Sequence, residues 1–161
     1  MTEGHQTPKT SAITDMIFES FRLHGQLIAF GDQMVKEFGL TSARWQILGS
    51  ISIANNSVTV PKIARNLGLS RQAVQRVTND LERDGFVIFA DNPDHKRAKL
   101  VVLTDMGHTV YREADRKYLA WLKSNIEPFK LSSVQTAIDV MQTLGGCCTT
   151  YLDKTEVDVD K

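Results

Sequence analysis

Thr59-Val60-Pro61-Lys62-Ile63-Ala64-Arg65-Asn66-Leu67-Gly68-Leu69-Ser70-Arg71-Gln72-Ala73-Val74-Gln75-Arg76-Val77-Thr78-Asn79-Asp80-Leu81-Glu82-Arg83-Asp84-Gly85-Phe86 carries the architecture of this chain. It reads as helix, tight turn, helix. Thr59 can cap the first helix with its hydroxyl, and Pro61 suits the first turn, where a missing N–H would be unpaired anyway. Ile63, Ala64 and Leu67 share one face at helical spacing. Gly68 stands where a left-handed residue ends a helix. Leu69 is expected to pack into the core and Ser70 to cap the second helix. That helix turns Ala73, Val74, Val77 and Leu81 to one side and Arg71, Gln72, Gln75, Arg76 and Asn79 to the other. Gly85 ends it.

Two short apolar runs follow, Phe86 to Phe89 and Leu100 to Leu103, with turn-forming Asp91, Asn92, Pro93 and Asp94 between them beside the cations Lys96, Arg97 and Lys99. Such a hairpin projects, and its cations suit phosphates or the minor groove. Arg can be bidentate to guanine, and Gln and Asn to adenine, so the polar face of the second helix suits base edges. Any amphipathic helix has a polar face, so Arg71 or Gln75 alone decides nothing. Cap, turn, helix and hairpin in this order point to a winged helix-turn-helix that reads DNA. Glu82, Arg83 and Asp84 read as a solvated helix end.

Composition sets few limits. The chain has 161 residues, of which 42% are hydrophobic and 24% charged, ordinary values for a soluble globular protein. No run approaches the ~20 apolar residues of a membrane span. The polar N-terminus, Met1 to Ser11, lacks a signal peptide's apolar core, and a cytoplasmic location is expected. The net charge is zero, but eight cationic side chains face five acidic ones between Lys62 and Lys99, against eleven and fourteen elsewhere. The DNA-reading stretch is thus locally positive on a neutral protein, and its affinity should depend on salt. Cys147 and Cys148 are adjacent, so they cannot readily bridge each other, and they lack metal-ligand spacing. They read as small residues of a helix interface, with a redox role as the alternative. His5, His24, His95 and His108 form no metal or catalytic pattern, no nucleophile stands beside a base, and no enzyme, metal or cofactor is expected.

Helices bracket this module. Ile13 to Phe38 is apolar over much of its circumference, and Gly39 ends it. Thr41 caps a helix to about Ile53, with Trp45, Leu48 and Ile51 or Ile53 inward, and Ala54 to Ser57 reads as a loop. Thr104-Asp105 opens a long helix on which Met106, Val110, Ala114, Tyr118, Leu122 and Ile126 recur. Ser132 to Gln135 has capping-box spacing before the stripe Val134, Ala137, Ile138, Met141, Leu144. Gly145-Gly146 should weaken that helix, and Asp153 to Lys161 reads as a frayed acidic tail.

The expected organisation is mainly α with a small β wing. Residues 1–39 form an N-terminal dimerisation helix, 40–104 the winged helix-turn-helix, 105–152 C-terminal dimerisation helices and 153–161 an acidic tail. The flanking helices hold more apolar surface than one small module covers. A two-fold homodimer is therefore expected, through Ile13, Ile17, Phe18, Tyr118, Trp121, Leu122, Ile138 and Met141. It would read a pseudo-palindrome with half-sites roughly 10 bp apart.

The order of elements resembles the MarR family of regulators. Leu40-Thr41-Ser42-Ala43-Arg44-Trp45-Gln46-Ile47-Leu48 looks like the start of that family's second helix, Lys62 to Val74 like its helix-turn-helix, and Leu81 to Val87 like the entry to its wing. Asn92 to Thr104 is similar to the wing and its return strand. The resemblance spans about Ile13 to Leu152. It implies a homodimeric, mostly repressing transcription factor that a small phenolic or lipophilic ligand releases from its operator. It places DNA contacts at Ser70, Arg71, Gln72, Gln75, Arg76 and Arg97, with Thr59 and Lys96 as phosphate contacts. Phe21, His24, Trp45 and Tyr111 are candidate pocket residues, each with an ordinary core role as the alternative. Two positions depart from the pattern. His95 stands where the family commonly has an Asp that fixes the wing Arg, and His95 itself becomes a candidate phosphate contact. Ile88 and Phe89 replace common Glu and Arg, so that strand is expected to pack more. The other readings are a redox-responsive regulator through Cys147 and Cys148, and a winged helix used only for protein contacts.

Overall fold

A computed structural model describes residues 7–55, 57–95 and 97–159, with 153–159 described by their backbone. Lys96 and residues 160–161 therefore lie outside the described residues, as do residues 1–6 of the N-terminal segment. Two compact units are present, residues 1–118 and 119–161.

In the first unit the Thr7 hydroxyl accepts the Thr10 amide at 3.2 Å, and Pro8 follows in the first turn. The first helix, α1 (Pro8–Val35), therefore begins before Ile13, where the apolar pattern alone had placed its start. A 3-10 turn over Lys36–Phe38 closes it, and Gly39 reverses the chain. Thr41 caps α2 (Ser42–Ile53) by accepting the Arg44 amide. Leu48 and Ile51 are fully buried, whereas Ile53 faces out.

Ser57, expected in a loop, begins β1 (Ser57–Thr59), which leads into α3 (Val60–Leu67). Then come α4 (Arg71–Arg83), β2 (Val87–Ala90), β3 (Leu100–Leu103) and α5 (Asp105–Asn125), whose last turns belong to the second unit. The sheet has the order β1-β3-β2, all antiparallel. Val58 pairs with Val101 and Phe89 with the same residue from the other side. β1 is three residues long, too short for an alternation to show in the sequence.

Three expectations fail locally. Thr59 makes no capping hydrogen bond: it closes a strand against Leu100, and Pro61 in the first turn removes an amide it could have accepted. Leu69 is 43% exposed instead of packed. Its amide closes the turn onto the Ala64 carbonyl at 2.9 Å, and the left-handed Gly68 swings its side chain outward. Ile88, on the wing strand expected to pack more, is 51% exposed because the pleat turns it away from the core.

The core of this unit is built from Val35, Ile47, Leu48, Ile51, Ile63, Val74, Leu81, Val87 and Val101, all essentially inaccessible to water. Thr78 lies on the same inner face of α4, and its hydroxyl donates to the Val74 carbonyl at 2.7 Å. It is thereby satisfied without leaving its helix. Arg44 crosses from α2 to pair with Asp84, donates to the Gly39 carbonyl, and lies 5.4 Å from the Phe86 ring. Asp84 is therefore tied, not merely solvated, and the Arg44 guanidinium holds its carboxyl below the usual range.

In the second unit, α6 (Leu131–Val159) begins before Ser132, which consequently is not its cap. Gly145-Gly146 does not interrupt it. Two glycines cost about 1 kcal/mol each relative to alanine, too little to break a helix of 29 residues. The backbone stays helical to Val159, through the stretch expected as a frayed tail. Leu131, Val134, Ile138, Met141, Tyr151 and Leu152 are exposed along it.

Candidate nucleic-acid interface

α4 is set by its ends. The Ser70 hydroxyl accepts the Ala73 amide at 3.1 Å, and Gly85, at φ +80°, stops the helix and turns the chain into β2. Val74 and Leu81 anchor the inner face. The outer face then presents Arg71, Gln72, Gln75, Arg76 and Asn79, all exposed. Gln75 donates to the Asn79 side-chain oxygen at 2.8 Å, which orders the two amides along the helix.

A groove of about 900 Å³ runs between this face and the hairpin. Those five side chains line it, together with Arg97, Ala98 and Lys99 of the wing, Phe89 of β2 and Glu82 at the far end of α4. Val60 and Pro61 close it below. Arg71, Arg76, Arg97 and Lys99 set four cationic side chains against one carboxylate there, and none of the four forms an ion pair among the described residues. Unpaired guanidinium and ammonium groups around a groove attract a polyanion, and Arg, Gln and Asn together can read base edges.

The wing is held by its turn. Asn92 donates to the Ala98 carbonyl at 2.9 Å and accepts the Asp94 amide at 3.0 Å. Nδ1 of His95 accepts the amides of Arg97 and Ala98, at 3.3 and 3.2 Å. His95 thus folds the turn carrying Arg97 by a neutral ring nitrogen, a role a carboxylate could also fill. His95, Ser70 and Thr59 do not line the groove; Ser70 acts there through its cap. Glu82 and Phe89 line it and were not among the expected contacts, and Lys99, expected only as one of the hairpin's cations, lines it too. Only the assembled hairpin brings Phe89 and Lys99 opposite α4.

A second cavity, about 610 Å³, opens between α2, α3 and α5. Trp45 and Tyr111 line it, whereas Phe21 and His24 stand exposed on α1 and do not. Trp45 meets Tyr118 edge-on, with ring centroids 5.3 Å apart. Tyr111 lies against bare backbone, because a Cβ at Gly49 would come within 3.3 Å of its ring. Cys147 and Cys148 are free and exposed on α6. Among the described residues no helix is long and apolar enough to cross a membrane.

The model of the MarR family matches residues 38–98, from the turn before α2 to the hairpin turn before β3. The uncharacterized protein Rv2011c of Mycobacterium tuberculosis is 42% identical over 98 residues, 61% of this chain and 67% of that protein. Among solved structures, CouR of Rhodococcus jostii RHA1, bound to p-coumaroyl-CoA, superposes with a TM-score of 0.72 at 21% identity, covering 81% of this chain and 91% of CouR. Overoxidized AbfR, bound to DNA, gives 0.69 at 19% identity over 86% and 96% of the two chains.

Proposed function

This chain belongs to the MarR family of transcription regulators, and we propose that it acts as a homodimeric repressor, reading a pseudo-palindromic operator and leaving it when a small ring-bearing ligand fills the cavity beside Trp45 and Tyr111. The observation that carries the DNA-reading part is the groove. It gathers Arg71, Gln72, Gln75, Arg76 and Asn79 from a capped helix and Arg97 and Lys99 from a hairpin onto one opening. A duplex fits such a groove with α4 in the major groove and the wing along the backbone. AbfR, of the same fold, is bound to DNA in its structure.

In this reading residues 40–104 are the DNA-reading module, and the flanking segments 1–39 and 105–152 pair two copies. Ile13 and Phe18 on α1, and Ile138 and Met141 on α6, are exposed; a second copy removes that apolar surface from water. Effector release follows if the ligand prefers the dimer geometry that does not fit DNA, since equal affinity for both states shifts nothing. CouR carries p-coumaroyl-CoA in its structure, which supports a ligand-binding role for the fold.

Footprinting on the DNA upstream of the chain's own gene tests the reading. A protected pseudo-palindrome that disappears with Arg71→Ala plus Arg76→Ala is expected. Protection that survives the double substitution would refute the placement of α4.

A further inference from the structure

The cavity between α2, α3 and α5 carries a charge pattern that selects its ligand. Two ionisable side chains of opposite sign line it, Lys62 from α3 and Asp115 from α5. They do not pair with each other, and neither forms a hydrogen bond or ion pair among the described residues. Their surroundings differ. Lys62 is exposed, so its ammonium keeps its water and its interactions are screened. Asp115 is half-buried, beside Tyr111, so its carboxylate has lost part of its hydration and gained no partner in return. The nearest cations on its own helix are Arg112 and Arg116, and Arg112 is engaged with the His108 carbonyl. Of the two charged groups in the cavity, the acid is the less hydrated one.

The walls favour the same sign. Trp45, Tyr111 and Tyr118 bring three aromatic rings to the opening. Aromatic faces carry negative potential, which attracts an ammonium and repels a carboxylate. Ser50 adds a polar group: it is 8% exposed, lines the cavity, and its hydroxyl oxygen is buried with no hydrogen-bond partner among the described residues. Rotation about its Cα–Cβ bond would bring that hydroxyl to the opening, where it can accept from an ammonium.

We propose that the cavity takes a small aromatic cation, an arylalkyl amine whose ammonium meets Asp115 while its ring lies among Trp45, Tyr111 and Tyr118. This rests on the reading of the cavity as the effector site, and it replaces the phenolic ligand that the family resemblance suggests. No bond is made or broken; the amine binds as its conjugate acid.

Three naphthyl probes of near-equal size separate the possibilities: 2-(1-naphthyl)ethylamine, 1-naphthylacetate and the neutral 2-(1-naphthyl)ethanol. Calorimetry on the full-length protein reads direct binding, and anisotropy of labelled operator reads release. The amine is expected to bind at least about tenfold more tightly than the acid, with the alcohol between them. Asp115→Asn should erase the amine's advantage over the alcohol, whereas Lys62→Gln should preserve it; circular dichroism confirms both folds. Tighter binding of the acid, or an amine preference that survives Asp115→Asn, overturns the proposal while leaving an effector cavity in place. Binding of none of the three also overturns it. An amine that binds through Asp115 but leaves operator affinity unchanged upholds the ligand class and refutes effector release.

Discussion

Gly107 sits in the first turn of α5, where that helix crosses the entry to the wing. A Cβ built on it would lie 2.0 Å from the Phe86 carbonyl oxygen and 3.0 Å from its carbon. Carbon meets a carbonyl oxygen no closer than about 3.3 Å without strain, so Gly107→Ala must push α5 and β2 apart by more than 1 Å. Both sides are backbone, and no flexible side chain can give way. The same Phe86 oxygen accepts the Thr104 amide at 3.1 Å and the Thr104 hydroxyl at 3.2 Å. Overpacking of this kind costs about 1–3 kcal/mol, and loosening the amide's hydrogen bond adds about 1 kcal/mol, the hydroxyl keeping its shorter bond to the Gly85 carbonyl at 2.7 Å. Alanine's better helix propensity returns at most about 1 kcal/mol, so sterics win. The net expectation is destabilisation by about 2–3 kcal/mol. Urea unfolding at fixed protein concentration reads it, because the midpoint of the proposed dimer would depend on concentration. With a slope near 2 kcal/mol/M, the midpoint should fall by roughly 1 M or a little more. A midpoint lowered by less than about 0.25 M, which is about 0.5 kcal/mol at that slope, or a rise, would refute the close approach of α5 to β2.

Ser70→Ala removes the side-chain cap of α4 and should cost about 1 kcal/mol in urea unfolding; Ser70→Gly should cost less, and equal costs would contradict the capping role. His95→Ala deletes the acceptor that gathers the Arg97 and Ala98 amides, and should lower operator affinity severalfold, with recovery in His95→Asp. An unchanged affinity in the alanine variant would separate the turn from DNA binding. Burial first, and then the Asp115 carboxylate, hold the Tyr111 phenol above its ordinary value. The folded state therefore keeps this proton where the unfolded chain has lost it, and stability falls as pH rises above about 10. Asp115→Asn should lower the phenol's midpoint in an ultraviolet titration without normalising it, since burial remains; no change would place the carboxylate elsewhere.

The parts legible in the sequence are those whose chemistry is local. Ser70, Gly68 and Gly85 announce the ends of α3 and α4 because capping and left-handed turns are settled within a few residues. The inner and outer faces of α4 follow from the helical period alone. What escaped depends on segments far apart in the chain. β1 exists because β3 accepts it as a partner, and three residues carry no period of their own. Arg44 finds Asp84 across 40 residues, so a charge that looked like surface decoration became a tie between helices. Phe21 and His24 sit on α1 with a plausible composition for a pocket, yet the space opens between α2, α3 and α5, where Asp115 and Ser50 went unremarked. Glu82 and Phe89 entered the groove only when the hairpin folded back over α4.

Fluorescence anisotropy of the purified protein with its own upstream DNA across a salt series tests whether the groove between α4 and the wing reads DNA. The groove holds four cations, Arg71, Arg76, Arg97 and Lys99, without an ion pair among the described residues, so the proposed dimer brings twice that number. At about 0.9 per phosphate neutralised, the slope of log affinity against log salt cannot exceed roughly 7 in magnitude from these groups, and a value above about 4 is expected. Binding should saturate at two protomers per site, prefer that DNA over unrelated duplex, and lose about 2 in slope with Arg76→Gln on both protomers. Weak affinity, equal on unrelated DNA and indifferent to Arg76→Gln, would contradict a DNA-reading groove between α4 and the wing.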